Sequence, residues 1–204
     1  MAQKDNETKR RIIQVSLALI KEKGYDQVTL NEICAAAQIS KHTFYYYFSS
    51  KEDVLRGFFE IPKEITTQRL MSILEADSGV EQLWKLMEPH IDFFHEQGPE
   101  VVKRIFIANL NRDQGTFNLP HKDDSIPRAE AAIIKKAQDN GEIQNKADCR
   151  LLLGACMSAL IGVAAKWCIS DAAFSLKKAT RANLEAILDV RLDLRKSGEH
   201  QCFH

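Results

Sequence analysis

With 204 residues the chain is long enough to bury a substantial core, as one domain or two. Its 28 Lys/Arg against 28 Asp/Glu exclude a protein that coats nucleic acid by bulk positive charge. Five cysteines, an odd number with no CxxC pair, speak against a disulfide framework and for a reduced, cytoplasmic setting.

The polar opening MAQKDNETKRR has no apolar stretch leading to a small-residue cleavage site, so no signal peptide is read there. From Glu7 to Lys23, Ile12, Val15, Ser16, Leu19 and Ile20 recur every three or four residues, and Gly24 follows as a stop. This predicts a first amphipathic helix, of which only Lys9-Arg10-Arg11 is placed to touch phosphate as well. Charge is only mildly uneven: residues 1–56 hold nine Lys/Arg against seven Asp/Glu, an excess of two. Thr29-Leu30-Asn31-Glu32 has the form of a capping box, so a second helix is predicted from Leu30, with Leu30, Ile33, Cys34 and Ala37 inward. Cys34 reads there as a small core hydrophobe.

Ala37-Gln38-Ile39-Ser40 makes the next turn, and Ser40 caps a third helix. A left-handed Gln38 in that turn would cost about 1 kcal/mol relative to glycine. Phe44 and Phe48, four apart, seat the third helix on the core. Steps of about 100° then put His42 and Tyr46 on the far side, with Thr43, Tyr45 and Tyr47 on the flanks. A short helix that shows Lys41, His42, Thr43 and three tyrosines suits a major groove, where Lys bonds guanine acceptors, Thr meets a base edge and Tyr hydroxyls hold phosphates. Taken alone, the tyrosines could also pack in a core or a protein interface. Ser49-Ser50-Lys51-Glu52-Asp53 opens a fourth helix with Ser50 as cap and Lys51 in the first turn, beside free backbone amides.

Residues from about Arg10 to Phe59 resemble the DNA-binding domain of the TetR family of transcriptional regulators. The matching features are Gly24-Tyr25, Thr29, Ile33 through Ala37, Ile39-Ser40, Tyr45, Phe48, Lys51 and Leu55. Gln38 departs from the family, which usually has glycine there. The resemblance implies phosphate contacts at Thr29, Tyr45 and Lys51, and base readout by Lys41, His42, Thr43, Tyr46 and Tyr47.

A helical pattern continues from Lys51 through Val54, Leu55, Phe58 and Phe59 and, beyond Pro62, through Ile65, Leu70, Ile73 and Leu74. Pro62 should break or kink it near Glu60-Ile61, as a plain rerouting of the chain or as a hinge. Further helical patterns cover Val80 to Gln97, Pro99 to about Gln114, Pro127 to Asn140, Ala147 to Ile169 and Phe174 to about Lys196. Gly98, Gly115-Thr116, Gly141 and Ser170-Asp171 punctuate them, and the polar segment from Asn118 to Ser125 reads as a loop. No window alternates as a strand over more than a few residues. The predicted architecture is all-α, with about nine helices: a three-helix helix-turn-helix DNA-binding domain over residues 1–50 and a larger ligand-binding and dimerisation domain over 51–204.

The apolar run from Leu151 to Ala165 is short for a membrane span and contains Gly154, Ser158 and Gly162, so it reads as a buried helix and no membrane partner is expected. Small residues also let helix axes approach closely, which makes Gly154, Ser158 and Gly162, with Ala182, Leu184 and Leu188, the candidate homodimer interface. The resemblance implies that the last two helices pair with their copies in a four-helix bundle; without it, burial within one chain explains the pattern equally well. Candidates for a small-molecule site are His90, Phe93, Phe94, Phe106, Asn109, Leu110, Met157 and Trp167, a few polar groups among aromatics and other apolar side chains. His90 and His95, five apart, do not share a helical face, and the His200, Cys202, His204 tail reads as a frayed terminus, so neither metal nor cofactor is expected.

No P-loop, dinucleotide-binding glycine pattern, HExxH or nucleophile elbow is present, which argues against an enzyme. The expected function is a homodimeric repressor that binds a palindromic double-stranded operator and is released by a small-molecule effector. Two other readings are a helical protein-interaction adaptor and a redox-responsive regulator using Cys149, Cys156 or Cys168.

Overall fold

The computed structural model describes residues 2–58, 66–111 and 125–197. Among these the chain forms ten α-helices: α1 Ala2–Lys23, α2 Leu30–Ala36, α3 Lys41–Tyr47, α4 Lys51–Phe58, α5 Thr67–Leu74, α6 Gly79–Gln97, α7 Pro99–Asn111, α8 Ser125–Asp139, α9 Cys149–Ile169 and α10 Leu176–Ile187. Two 3₁₀ turns, Tyr25–Gln27 and Leu192–Leu194, complete the set, and an isolated antiparallel bridge joins Ile143 to Val190. The all-α reading is therefore correct. The pattern from Lys51 to Leu74 proves to be two helices, and Pro62 with its expected kink lies outside the described residues. So do Gly115-Thr116, the loop before Ser125 and the His200–His204 tail. The last helix stops at Ile187, short of the expected Lys196, because Asp189 turns left-handed (φ 47°) and Val190 pairs with Ile143.

Two compact units divide the chain: residues 1–61 with 96–118, and residues 62–95 with 119–204. The first is built on the spacing read from sequence. Ile12, Leu17 and Ile20 of α1 meet Ile33 and Cys34 of α2, Phe44 of α3, Phe48 and Val54 in one buried cluster. Val101 and Ile105 of α7 join the same cluster, so this unit extends well past residue 50. Gln38 adopts φ 53°, the left-handed turn that its position demanded. Its side chain is exposed and makes no compensating bond among the described residues, so Gln38→Gly is expected to stabilise the protein by about 1 kcal/mol, visible as a raised midpoint in urea. An unchanged midpoint would show that the turn carries no strain.

In the second unit, the long apolar helix α9 buries Leu152, Leu153, Cys156, Leu160, Ala164 and Trp167 and packs on α8 and α10. It is long and apolar enough to cross a membrane by length and composition alone. Its outward face carries Leu151, Ser158, Gly162 and Ile169. The N-terminus of α6 is capped from a distance: the Glu142 carboxylate accepts from the amides of Gly79 (2.7 Å) and Val80 (3.3 Å). A Cβ at Gly79 would lie 3.1 Å from both Ala137 and Glu142, which explains the glycine.

Pro89 sits inside α6 without ending it. It has no amide to offer the Lys85 carbonyl one turn earlier. Arg69 of α5 supplies the missing donor: its guanidinium bonds the Lys85 carbonyl and reaches the Leu86 carbonyl at 3.4 Å. Deeper in the unit, Arg181 is buried with Nη2 2.8 Å from Glu81, Nε 2.8 Å from Glu185 and its guanidinium 4.8 Å from the Trp84 ring centroid. Glu185 in turn accepts from the backbone amides of Lys196 (2.8 Å) and Ser197 (3.2 Å), fixing the segment after α10. Burial pushes Glu185 up, but the Arg181 guanidinium and these donors hold it below the usual carboxylate range.

Candidate nucleic-acid interface

The interface begins with two caps. Thr29 accepts from the Glu32 amide (3.3 Å) while the Thr29 amide donates to the Glu32 carboxylate (2.8 Å), which is the capping box expected from sequence. The Thr29 hydroxyl also donates to Glu32 at 2.8 Å. Lys23, bonded at 2.8 Å, and the Thr29 donors pull the Glu32 carboxyl down to about 2. Ser40 caps α3 by accepting from the Thr43 amide (3.0 Å), and Ser50 caps α4 by accepting from the Asp53 amide (3.1 Å). Both elements of the turn are thus fixed by their own short side chains.

On α3, the fully buried Phe44 fixes the orientation of the helix, and its ring centroid lies 5.8 Å from that of Phe48. The outward face carries Lys41, His42, Tyr45 and Tyr46, the last 69 % exposed. Two expected readers are placed differently. Thr43 is half-buried with its hydroxyl 2.9 Å from Ser40 Oγ, and Tyr47 is half-buried against the core with its ring edge-on to Tyr46 (4.9 Å, 88°). At 3.6 residues per turn, the flanks of so short a helix meet its neighbours.

Lys51 is also more constrained than sequence suggested. Its ammonium donates to the carbonyls of Tyr25 (2.7 Å) and Val28 (2.8 Å), leaving one of its three N–H groups, and lies 4.0 Å from the Tyr25 ring centroid. Tyr25 itself donates to Glu52 at 2.6 Å. Sequence reasoning missed this cluster because its partners lie 23 to 27 positions apart, beyond any helical period.

The candidates for a small-molecule site fall in both units. His90, Phe93, Phe94, Met157 and Trp167 belong to the second unit, whereas Phe106, Asn109 and Leu110 belong to the first. Leu110 is 85 % exposed, and Asn109 bonds the Ile105 carbonyl of its own helix at 2.9 Å. A groove of about 450 Å³ does lie between α5 and α6, near Arg69, Ser72, Lys85, Glu88 and Asp92, none of them singled out from sequence. Of the dimer candidates, Ser158 and Gly162 are exposed and Gly154 and Ala182 half-buried, but Leu184 and Leu188 are buried inside the protomer. Leu184 of α10 and Leu188, which caps its C-terminus, lie four apart on the inner side, so they are core residues. Among the cysteines, Cys34, Cys156 and Cys168 are buried without a disulfide, and burial, reinforced by Glu130, pushes the Cys156 thiol up to about 12. Such a thiol is a poor redox sensor. Among the described residues no group of His, Cys, Asp or Glu is placed to hold a metal.

A capped two-helix turn with an outward polar-aromatic second helix, in a unit that is helical among the described residues, is the arrangement of a helix-turn-helix DNA-binding domain. Residues 12–57 match the model of the family described as bacterial regulatory proteins, tetR family. The chain is similar over 187 residues to the HTH-type transcriptional regulator UidR of Escherichia coli K12, at 25 % identity, covering 89 % of this chain and 93 % of the relative. Its fold is similar to Thermus thermophilus FadR, a TetR-family repressor solved with lauroyl-CoA (TM-score 0.65, 20 % identity, 93 % of this chain and 100 % of that one). It is also similar to the regulator FadR of Bacillus subtilis, solved with stearoyl-CoA (TM-score 0.57, 20 % identity, 88 % and 97 %). Residues 12–57 are thus a DNA-binding domain of the tetR family of bacterial regulatory proteins.

Proposed function

We propose that the protein is a homodimeric repressor that reads a roughly palindromic operator and is released from it by a small molecule. The observation that carries DNA reading is α3, held by Phe44 and presenting Lys41, His42, Tyr45 and Tyr46 outward. In this reading His42, Tyr46 and Lys41 meet base edges, with Thr43 and Tyr47 supporting from the flanks, while Thr29, Tyr45 and the remaining N–H of Lys51 meet phosphate. Two heads on a dimer then engage half-sites about 34–36 Å apart.

The outward face of α9 supports a second copy. Among the described residues, a Cβ at Gly154 or Gly162 would meet nothing within 4 Å, so nothing inside the protomer requires glycine there. Small residues on that face, flanked by the exposed Leu151 and Ile169, suit close approach of a partner helix. An effector acts by binding one head spacing more tightly than the other. Because the two FadR proteins were solved with acyl-CoA, long-chain acyl-CoA thioesters are the first compounds to test.

Fragments selected from genomic DNA by the purified protein supply the operator for this test. Lys51→Ala is expected to weaken operator and random DNA alike and to lower the salt slope by about 0.9 for one lost phosphate contact. His42→Ala and Tyr46→Ala are expected to cost about 1–3 kcal/mol on the operator and little on random duplex. Equal losses on both duplexes for all three variants would remove the assignment of α3 to base readout.

A further inference from the structure

The reading head contains a second cation on the tyrosine that holds Lys51. Arg104 of α7 places its guanidinium 5.1 Å from the Tyr25 ring centroid and pairs through Nη2 with Asp26, the next residue in the 3₁₀ turn. Its Nε is buried with no hydrogen-bond partner among the described residues, so Asp26 and the ring are the contacts given for the guanidinium. Lys51 approaches the same ring at 4.0 Å and Glu52 takes its hydroxyl. Two cations, Lys51 and Arg104, and two carboxylates, Asp26 and Glu52, therefore surround one aromatic side chain with no net charge.

We propose that Arg104 is a positioning residue for DNA binding, which acts through Tyr25 and the 3₁₀ turn to aim the Lys51 ammonium at phosphate. The carbonyls that hold Lys51 belong to Tyr25 and Val28, at the start and just after the turn that Arg104 grips. α7 packs on α1, α4 and this turn, so Arg104 is anchored on an element that Val101 and Ile105 fix to the core of the head. Loss of the guanidinium removes the tie on Asp26 and one cation from the ring, and the turn carries the Lys51 acceptors with it. Burial and the Glu52 bond both raise the Tyr25 hydroxyl above its ordinary value, so the ring stays neutral and remains a good partner for both cations.

The inference rests on the reading of Lys51 as a phosphate contact, and its test separates the two. Fluorescence anisotropy of the full chain on a short random-sequence duplex, over a series of salt concentrations, is measured for wild type, Lys51→Ala, Arg104→Ala, Arg104→Lys and the double alanine variant. Arg104→Ala is expected to lose about tenfold in affinity, to lower the salt slope as Lys51→Ala does, and to add nothing in the Lys51→Ala background. Arg104→Lys, which keeps a cation at the ring, is expected to recover most of the affinity. A merely structural arginine would change the melting temperature and leave the salt slope of the folded protein untouched. Arg104→Ala with wild-type affinity and slope, or losses that add in the double variant, overturns the positioning role while leaving Lys51 as a contact. An unchanged slope for Lys51→Ala overturns the phosphate reading itself.

Discussion

Phe44→Ala is expected to abolish operator binding by unfolding the reading head, at a cost of about 3–5 kcal/mol. The side chain is completely buried and belongs to the cluster shared with α1, α2, α4 and α7. α3 has only seven residues, far too few to hold helical structure by its own hydrogen bonds. Its orientation therefore comes from Phe44 and the Ser40 cap, and truncation of the ring removes the larger of the two. Thermal melts followed by circular dichroism, together with gel shifts, check the result. The outward Tyr46→Ala serves as the control, since it should leave the melt unchanged. If Phe44→Ala keeps both the wild-type melt and the wild-type affinity, α3 is not seated by this residue.

Glu130→Gln is expected to stabilise the protein at alkaline pH and to do little in acid. Glu130 is 4 % exposed on α8, and its Oε1 has no hydrogen-bond partner among the described residues. Burial raises its carboxyl from 4.5 to about 7. The folded state thus keeps a proton that the unfolded chain gives up near 4.5. The contribution of this group is fully present below about 4.5, and it falls as pH rises until it is lost above about 7. The loss across that window is about 3 kcal/mol, since each tenfold gain in proton affinity on folding is worth about 1.36 kcal/mol. Glutamine keeps the shape without the charge, so the variant should match wild type near pH 4.5 and exceed it by up to that amount at pH 8. Urea denaturation at the two pH values makes the comparison; parallel curves for the two proteins would mean that Glu130 is charged or solvated in the folded state.

The parts of the head that were legible in the sequence are those whose partners lie three or four residues away. The Thr29–Glu32 box, the Ser40 and Ser50 caps and the Phe44–Phe48 pair each close within one helical turn. What was missed has partners far along the chain. Arg104 finds Asp26 across 78 positions, Glu142 caps Gly79 across 63, and Arg181 reaches Glu81 across 100. Periodicity carries no trace of such pairings. It also led to Leu184 and Leu188 being placed at the dimer interface, whereas both are buried in the protomer's own core. The groove between α5 and α6 went unread for a related reason: helical phase says which side of a helix is apolar, but not where two helices part to leave a space.

The bond from Arg69 to the carbonyl facing Pro89 bears on which substitutions this chain can accept. With alanine at position 89 the helix would bond itself, and Arg69 would be free to vary. With proline there, a change at Arg69 leaves the Lys85 carbonyl without a donor in a partly buried setting. The arginine and the proline are therefore coupled: the cost of losing the guanidinium depends on which residue stands at position 89. Two positions 20 apart in sequence thus share one helix hydrogen bond between them.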